Sequence, residues 1–291
     1  MQGWLIYNAQ DASENESYIE WFIEECNKQH IELKLLIREQ LTVGIVDGKT
    51  TISYNGKPVE VPDFVVIRTI EPLLQYTFEA LDIPTFNSFQ VAQTTNHKSY
   101  TYMKISRLGI PMVPTYFATK RSLPLTPPLP FPFVVKGATG RGGKQVCFIA
   151  DETDWLNVPK NIDSDDIIIQ KADVQLGKDV RVFVIGKEIV ASVLRENDHD
   201  FRANYKLGGK ARLFTLTDGQ KRTVQKIVDH FDFGLVGIDF LLSHDGELLF
   251  NEIEDVVGSR ILSITSDINL LEKYVAFIKH RVAFRKQKIT S

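Results

Sequence analysis

Cysteine is scarce: Cys26 and Cys147 are the only two in 291 residues, and they lie far apart. That excludes a disulfide framework and points to a reducing compartment. Long apolar runs are missing too, since no window approaches the roughly 18 consecutive apolar residues of a membrane span. The opening Met1-Gln2-Gly3-Trp4-Leu5-Ile6-Tyr7 lacks the basic start and apolar stretch of an export signal and reads as a first strand. A cytoplasmic protein with no membrane partner is the default expectation. An excess of one charge is also absent: 34 basic against 37 acidic residues leave a net charge of −3. That balance argues against a nucleic-acid partner. Only 279–288 is locally basic, and it reads as a solvated helix end. Internal repeats are absent.

What is present is ordinary for a globular chain, with 43% hydrophobic and 24% charged residues. The length suits two or three small domains sharing an interface. Hydrophobic periodicity predicts strands over 4–7, 33–37 and 63–67, and a helix over 15–29 with Tyr18, Ile19, Phe22, Ile23 and Cys26 on one face. Asn55-Gly56 marks a hairpin between 50–54 and 58–61. Strands alternating with helices over the first 95 residues suggest a small open α/β domain. A helix over 96–108 stops at Gly109-Ile110-Pro111, and a Pro-rich connector runs from 124 to 132. Further strands are expected over 133–136, 146–149, 165–170, 180–185, 189–194, 237–242 and 248–252, with helices over 218–229 and 268–284.

Three constellations carry chemistry. The first is Lys136-Gly137-Ala138-Thr139-Gly140-Arg141-Gly142-Gly143-Lys144, a glycine-rich loop between two strands. Its backbone can approach phosphate oxygens and donate N–H groups to them, with Lys136, Arg141 and Lys144 supplying positive charge. The spacing is not that of a P-loop, and a strand follows instead of a helix. Taken alone, the loop equally fits a flexible hairpin tip. The second pairs Gly237-Ile238-Asp239-Phe240 with Phe250-Asn251-Glu252-Ile253-Glu254. Glu252 and Glu254 share a strand face, and converging acids need a counter-ion. Oxygen-only ligands suit Mg²⁺ or Mn²⁺, although an exposed acidic hairpin is the other reading. The third runs from Asp198-His199-Asp200-Phe201-Arg202-Ala203-Asn204 to Gly208-Gly209, where the planar guanidinium of Arg202 suits a phosphoryl oxyanion. His199 is open to a general-base reading or to that of a solvated loop histidine.

In their order, these pieces resemble the ATP-grasp superfamily and, within it, the RimK-type carboxylate–amine ligases. The likeness runs from about 96 to 278 and loosely before that. It includes Asn96-His97-Lys98, Gly109-Ile110-Pro111 and Lys178-Asp179-Val180-Arg181 beside the three constellations. The resemblance implies a mixed α/β (α+β) ATP-grasp fold: an N-terminal open α/β domain over 1–95 and two subdomains, 96–170 and 171–291, clasping ATP. It implies that Lys98 and Lys136 meet the nucleotide phosphates while Gly140, Gly142 and Gly143 fold over them. Gln170, Lys171 and Ala172 fall where family members meet adenine, Asp179 where they bind ribose, and Arg202 and Asn204 at the phosphate and acyl-phosphate end. Lys136, Arg202 and Asn204 are then the catalytic candidates. Asp239, Glu252 and Glu254 occupy the metal positions, holding two Mg²⁺ or Mn²⁺ ions.

Three departures stand out. Glu254 replaces the family's usual asparagine, Gln170 a common glutamate, and Asp255-Val256-Val257-Gly258-Ser259-Arg260 a loop of Ser-Pro-Gly type. Arg260, and Arg68 at a strand end, are candidate clamps for a substrate carboxylate. The implied reaction joins a carboxylate to an amine of an amino acid, a peptide or a protein terminus through an acyl phosphate, in a chain compatible with a homo-oligomer. A phosphotransferase or a nucleotide-binding protein on the same scaffold is the alternative.

Overall fold

The computed structural model describes residues 1–140, 142–143, 145–203 and 209–290, with side chains described as far as 288. The chain starts with β1 (Gln2–Tyr7), α1 (Ala9–Glu14), α2 (Glu16–Lys28) and β2 (Glu32–Ile37). A three-stranded antiparallel meander follows: β3 (Leu41–Val46), β4 (Lys49–Tyr54) and β5 (Lys57–Pro58). Asp47-Gly48 and Asn55-Gly56 make its two tight turns, all four residues at φ between 50° and 74°. The expected strand over 58–61 is thus only β5, since Pro58 has no N–H to offer a ladder and Pro62 follows closely. The chain continues through β6 (Phe64–Ile67), α3 (Pro72–Glu79), β7 (Thr85–Phe86), α4 (Phe89–Thr95) and α5 (Lys98–Ser106).

β1, β2, β6 and β7 form a parallel sheet in the order β2-β1-β6-β7. From β1 the chain moves to β2 on one side and later to β6 on the other. Its order therefore reverses between β1 and β6, whose carboxyl ends carry Tyr7 and Ile67. Both faces of the sheet are covered, as parallel sheets require. One face packs Trp4, Ile6, Val65 and Ile67 against Leu74 and Phe78 of α3.

The middle of the chain is a second sheet, β10-β9-β11-β8, wholly antiparallel. It is built from β8 (Thr115–Thr119), β9 (Phe133–Gly137), β10 (Val146–Ile149) and β11 (Asp166–Lys171), with α6 (Glu152–Asn161) laid on it through Trp155 and Val158. The third sheet has five antiparallel strands in the order β14-β13-β12-β15-β16. These are β12 (Lys178–Ile185), β13 (Glu188–Glu196), β14 (Lys210–Leu213), β15 (Leu235–Leu242) and β16 (Leu248–Glu254). α7 (Asp218–His230), started by a Thr217/Gln220 capping box, buries Val224, Ile227 and Val228 against one face.

Two helices close the chain, α8 (Arg260–Thr265) and α9 (Leu270–Thr290). Leu271, Tyr274 and Ile278 of α9 share a core with Leu5 and Phe64 of the first sheet, Phe22 of α2 and Phe183 of the third sheet. The basic stretch 279–288 is therefore part of a docked helix. Its cations tie back to the body: Lys279 donates to the Gln29 carbonyl, and Arg281 and Lys286 pair with Asp232 and Asp63. Among the described residues no helix is long and apolar enough to cross a membrane.

Candidate active site between the glycine loop and the acidic strands

The third sheet presents one face of alternating charge. On β12, Asp179 and Arg181 point to the same side because they are two residues apart in an extended chain. Asp179 stands opposite Arg195 of β13, Arg181 opposite Asp239 of β15, and Asp239 opposite Glu252 of β16. Arg181 donates Nε and Nη2 to the two oxygens of Asp239 at 2.8 and 2.7 Å, and Nη2 also lies 2.7 Å from Glu254. Arg195 forks onto Asp179 at 2.6 Å on each oxygen and reaches Asp239 at 2.8 Å. Asp239 is 1% exposed. Burial works against its charge, but the two guanidiniums outweigh it and hold its carboxyl below the usual range. Asp179 goes the other way, pushed up by burial and by neighbouring Asp239 against the pull of Arg195.

A β-bulge decides which way the acids face. Asp239 pairs with Glu252 but Phe240 pairs with Phe250, which leaves Asn251 as the extra residue. In a regular strand Phe250 and Glu252 would share a face. The bulge instead sends Phe250 into the core at 0% exposure and keeps Glu252 and Glu254 on the charged side with Asp239. One oxygen from each of Asp239, Glu252 and Glu254 lies within 4.8 Å of the others. This all-oxygen set fits Mg²⁺ or Mn²⁺. Glu252 and Glu254 are the less encumbered donors, since both oxygens of Asp239 already accept from arginine.

Facing the acids is the second sheet with its glycine loop. Lys136 leaves β9 into the gap and is 6% exposed. Its Nζ donates to Asn251 Oδ1 at 2.8 Å and to the Tyr102 hydroxyl at 3.1 Å. Burial pushes Lys136 down from 10.5 to about 8, with Glu252 pulling weakly upward. Lys98, the first residue of α5, donates Nζ to the Gly140 carbonyl at 2.8 Å and lies 3.4 Å from Glu252. Gly140, Gly142 and Gly143 all hold φ between 68° and 105°, where a side chain would be strained. Across the gap, Arg202 is gripped by Asp200 at 2.7 and 2.9 Å and donates Nη1 to the Gly143 carbonyl at 2.8 Å. The loop is thereby fastened to both sides of the cleft.

A family profile described as RimK-like ATP-grasp domain matches residues 117–278, more than half of the chain. The chain belongs to the RimK-like ATP-grasp family. Among its curated relatives, human N-acetylaspartylglutamate synthase A is 27% identical over 81% of this chain. The match covers 64% of the synthase's length, so the chain spans just under two thirds of that relative. Glutamate--LysW ligase ArgX of Sulfurisphaera tokodaii is 28% identical over 69% of this chain and 74% of its own length. The crystal structure of a RimK domain protein from Sphaerobacter thermophilus superposes with a TM-score of 0.71, covering 95% of this chain and 99% of that one at 15% identity, a likeness of fold.

In this RimK-like ATP-grasp protein most sequence-derived candidates meet in one cleft: Lys98, Lys136, Gly140, Gly143, Arg202, Asp239, Glu252 and Glu254, with Asp179 on the same charged sheet face. Gly142 lies on the glycine loop between them. Gln170 is buried at the end of β11 and donates Nε2 to Thr115 Oγ1 at 2.9 Å. Lys171 pairs with Asp173 at 2.7 Å, and Ala172 follows in the connection to β12. Asn204, Arg141 and Lys144 lie outside the described residues. Arg68 is half-buried on the first domain, and Arg260 is exposed at the start of α8. The sequence reading assigned no role to four site residues: Arg181, Arg195, Tyr102 and Asn251. Strand alternation places Arg181 beside Asp179, so it was legible. The other three depend on strand order, on helix α5 crossing β16, and on the bulge.

Proposed function

We propose that the protein is an ATP-dependent carboxylate–amine ligase. The carrying observation is the juxtaposition of Lys98, Lys136 and the glycine loop with Glu252, Glu254 and Asp239 across one cleft. A carboxylate is a poor leaving group for amide formation at neutral pH. In the proposed reaction one of its oxygens attacks the γ-phosphorus of ATP, the bond to the β–γ bridging oxygen breaks, and ADP leaves. The amine nitrogen then attacks the acyl phosphate, loses its proton and displaces inorganic phosphate. Such transfers need positioning and charge neutralisation more than covalent help.

Lys98 and Lys136 would neutralise the phosphates, with Lys136 exchanging Asn251 and Tyr102 for phosphate oxygens. Arg202 has two N–H donors left after Asp200 and Gly143, enough to meet the transferred phosphoryl group. By the family resemblance, Asn204 would serve the same phosphoryl group. Backbone groups of Gln170, Lys171 and Ala172 would meet adenine, and Asp179 the ribose. Two Mg²⁺ or Mn²⁺ ions held through Asp239, Glu252 and Glu254 would supply charge neutralisation at the phosphates. The extra carboxylate Glu254 is offset by Arg181. Closure of the glycine loop would keep water from the acyl phosphate.

For the amine substrate we propose L-glutamate, since the names of both relatives contain glutamate; Arg260 is a candidate contact. The units 1–95, 96–170 and 171–291 are proposed as its domains, in a cytoplasmic homo-oligomer. Lys136→Met and Glu252→Gln are each expected to cut ADP formation by at least ~100-fold in folded protein. ADP release at the wild-type rate by either variant would remove that residue from the mechanism.

A further inference from the structure

One cation of the first domain has no part in the phosphate chemistry. Arg68 directly follows β6, beside Tyr7 at the end of β1. These two strands flank the reversal of strand order, where open α/β sheets form a ligand crevice. Arg68 Nε donates to the Tyr7 hydroxyl at 3.2 Å and Nη2 to the Val257 carbonyl at 3.0 Å, and the guanidinium lies 5.2 Å from the centre of the Tyr18 ring. Among the described residues no carboxylate pairs with it, whereas Arg181 and Arg195 are both held by acids. A half-buried guanidinium with spare donors and no counter-ion calls for an anion.

The surroundings offer hydrogen-bond donors. The hydroxyls of Tyr18 and Thr69 are both buried with no hydrogen-bond partner among the described residues. Burial pushes the Tyr18 phenol up to about 12 against the pull of Arg68, so it stays a neutral donor. A planar guanidinium next to neutral hydroxyls matches a carboxylate. Val257 is three residues beyond Glu254, at most ~11 Å along the chain. Arg68 thus sits against the segment that follows the acidic strand, on the side where an amino acid with its amine at the acids would turn a carboxylate.

We infer that Arg68, together with the Tyr18 hydroxyl, holds a non-reacting carboxylate of the amine substrate. This rests on the ligase reading, with L-glutamate as the probe. Calorimetry on the full chain saturated with ADP compares L-glutamate, L-glutamine and γ-aminobutyrate, the last two lacking one carboxylate each. Arg68→Gln is expected to weaken L-glutamate by at least ~30-fold, with ADP affinity retained. The analogue lacking the carboxylate held by Arg68 binds wild type and variant equally.

Tyr18→Phe deletes only a hydroxyl without a partner, so it keeps the test open should Arg68→Gln not fold. It is expected to weaken L-glutamate by ~10-fold. Wild-type L-glutamate affinity in either folded variant, or no L-glutamate binding by the wild type, overturns the inference. Arg68-dependent binding without ATP consumption in the presence of any carboxylate overturns the ligase reading instead. Ligation with an unchanged KM for L-glutamate in Arg68→Gln overturns the subsite and leaves the ligase intact.

Discussion

Lys136 shows how a single buried group ties stability to function. Its folded value of about 8 lies below its ordinary 10.5, so the cost of keeping it charged in the nucleotide-free fold is full below about pH 8. That cost is relieved as pH rises from 8 towards 10.5, and this group alone then stabilises the fold with increasing pH. Phosphate oxygens would favour the charged form. Nucleotide binding near pH 8 is therefore expected to take up a proton and to weaken as pH climbs. Calorimetry of ADP binding in buffers of different ionisation enthalpy reads the uptake directly, and a buffer-independent heat at pH 8 would contradict it. At this scale Lys98, Lys136, Asp239 and Glu252 were legible because their motifs are local. Tyr102 and Asn251 were not, because a tyrosine on a helix and an asparagine in a strand gain meaning only when both contact the same lysine.

The charged face of the third sheet is a property of elements, since no residue on it is satisfied by its own strand. Arg195 on β13 neutralises Asp179 on β12 and Asp239 on β15. Arg195→Leu leaves both acids short of a cation in a buried setting and should destabilise the fold by ~3 kcal/mol or more, read as a shift in urea midpoint. The sequence predicted β12, β13, β15 and β16 and their alternation, but not the edge strand β14. It could not show that β12 lies between β13 and β15, which is what converts separate charges into a network. Gly237 records the same dependence on neighbours. A Cβ there would lie 2.7 Å from Val257 Cγ2 and 3.4 Å from Arg181, so Gly237→Ala should displace the loop after Glu254 and lower activity as well as stability. The short meander β3–β5 was half legible: Asn55-Gly56 was read as a turn, while Asp47-Gly48, of the same chemistry, went unread.

Across the whole molecule, the ends of the chain meet. Helix α9 shares its core with β1 and α2, and residues 85–97 connect the first domain to the strands of the third sheet. Buried Asn87 donates Nδ2 to the carbonyls of Leu235 and Asp255 and accepts from the N–H of Gly234. Asn87→Ala strands those groups and should cost about 2–3 kcal/mol, seen in the urea midpoint. Contacts between segments so far apart in sequence have no local signature, so the motifs conveyed the architecture and left this junction unread.

The central claim, ligation of a carboxylate to an amine, is tested most directly by following ADP and phosphate release. ATP, Mg²⁺, L-glutamate and a panel of carboxylates would be supplied, with products weighed by mass spectrometry. The account predicts release that needs both the carboxylate and the amine, with a product equal to their combined mass less one water. ADP release that persists without the amine, with no phosphate freed and a product heavier by a phosphoryl group, would contradict it.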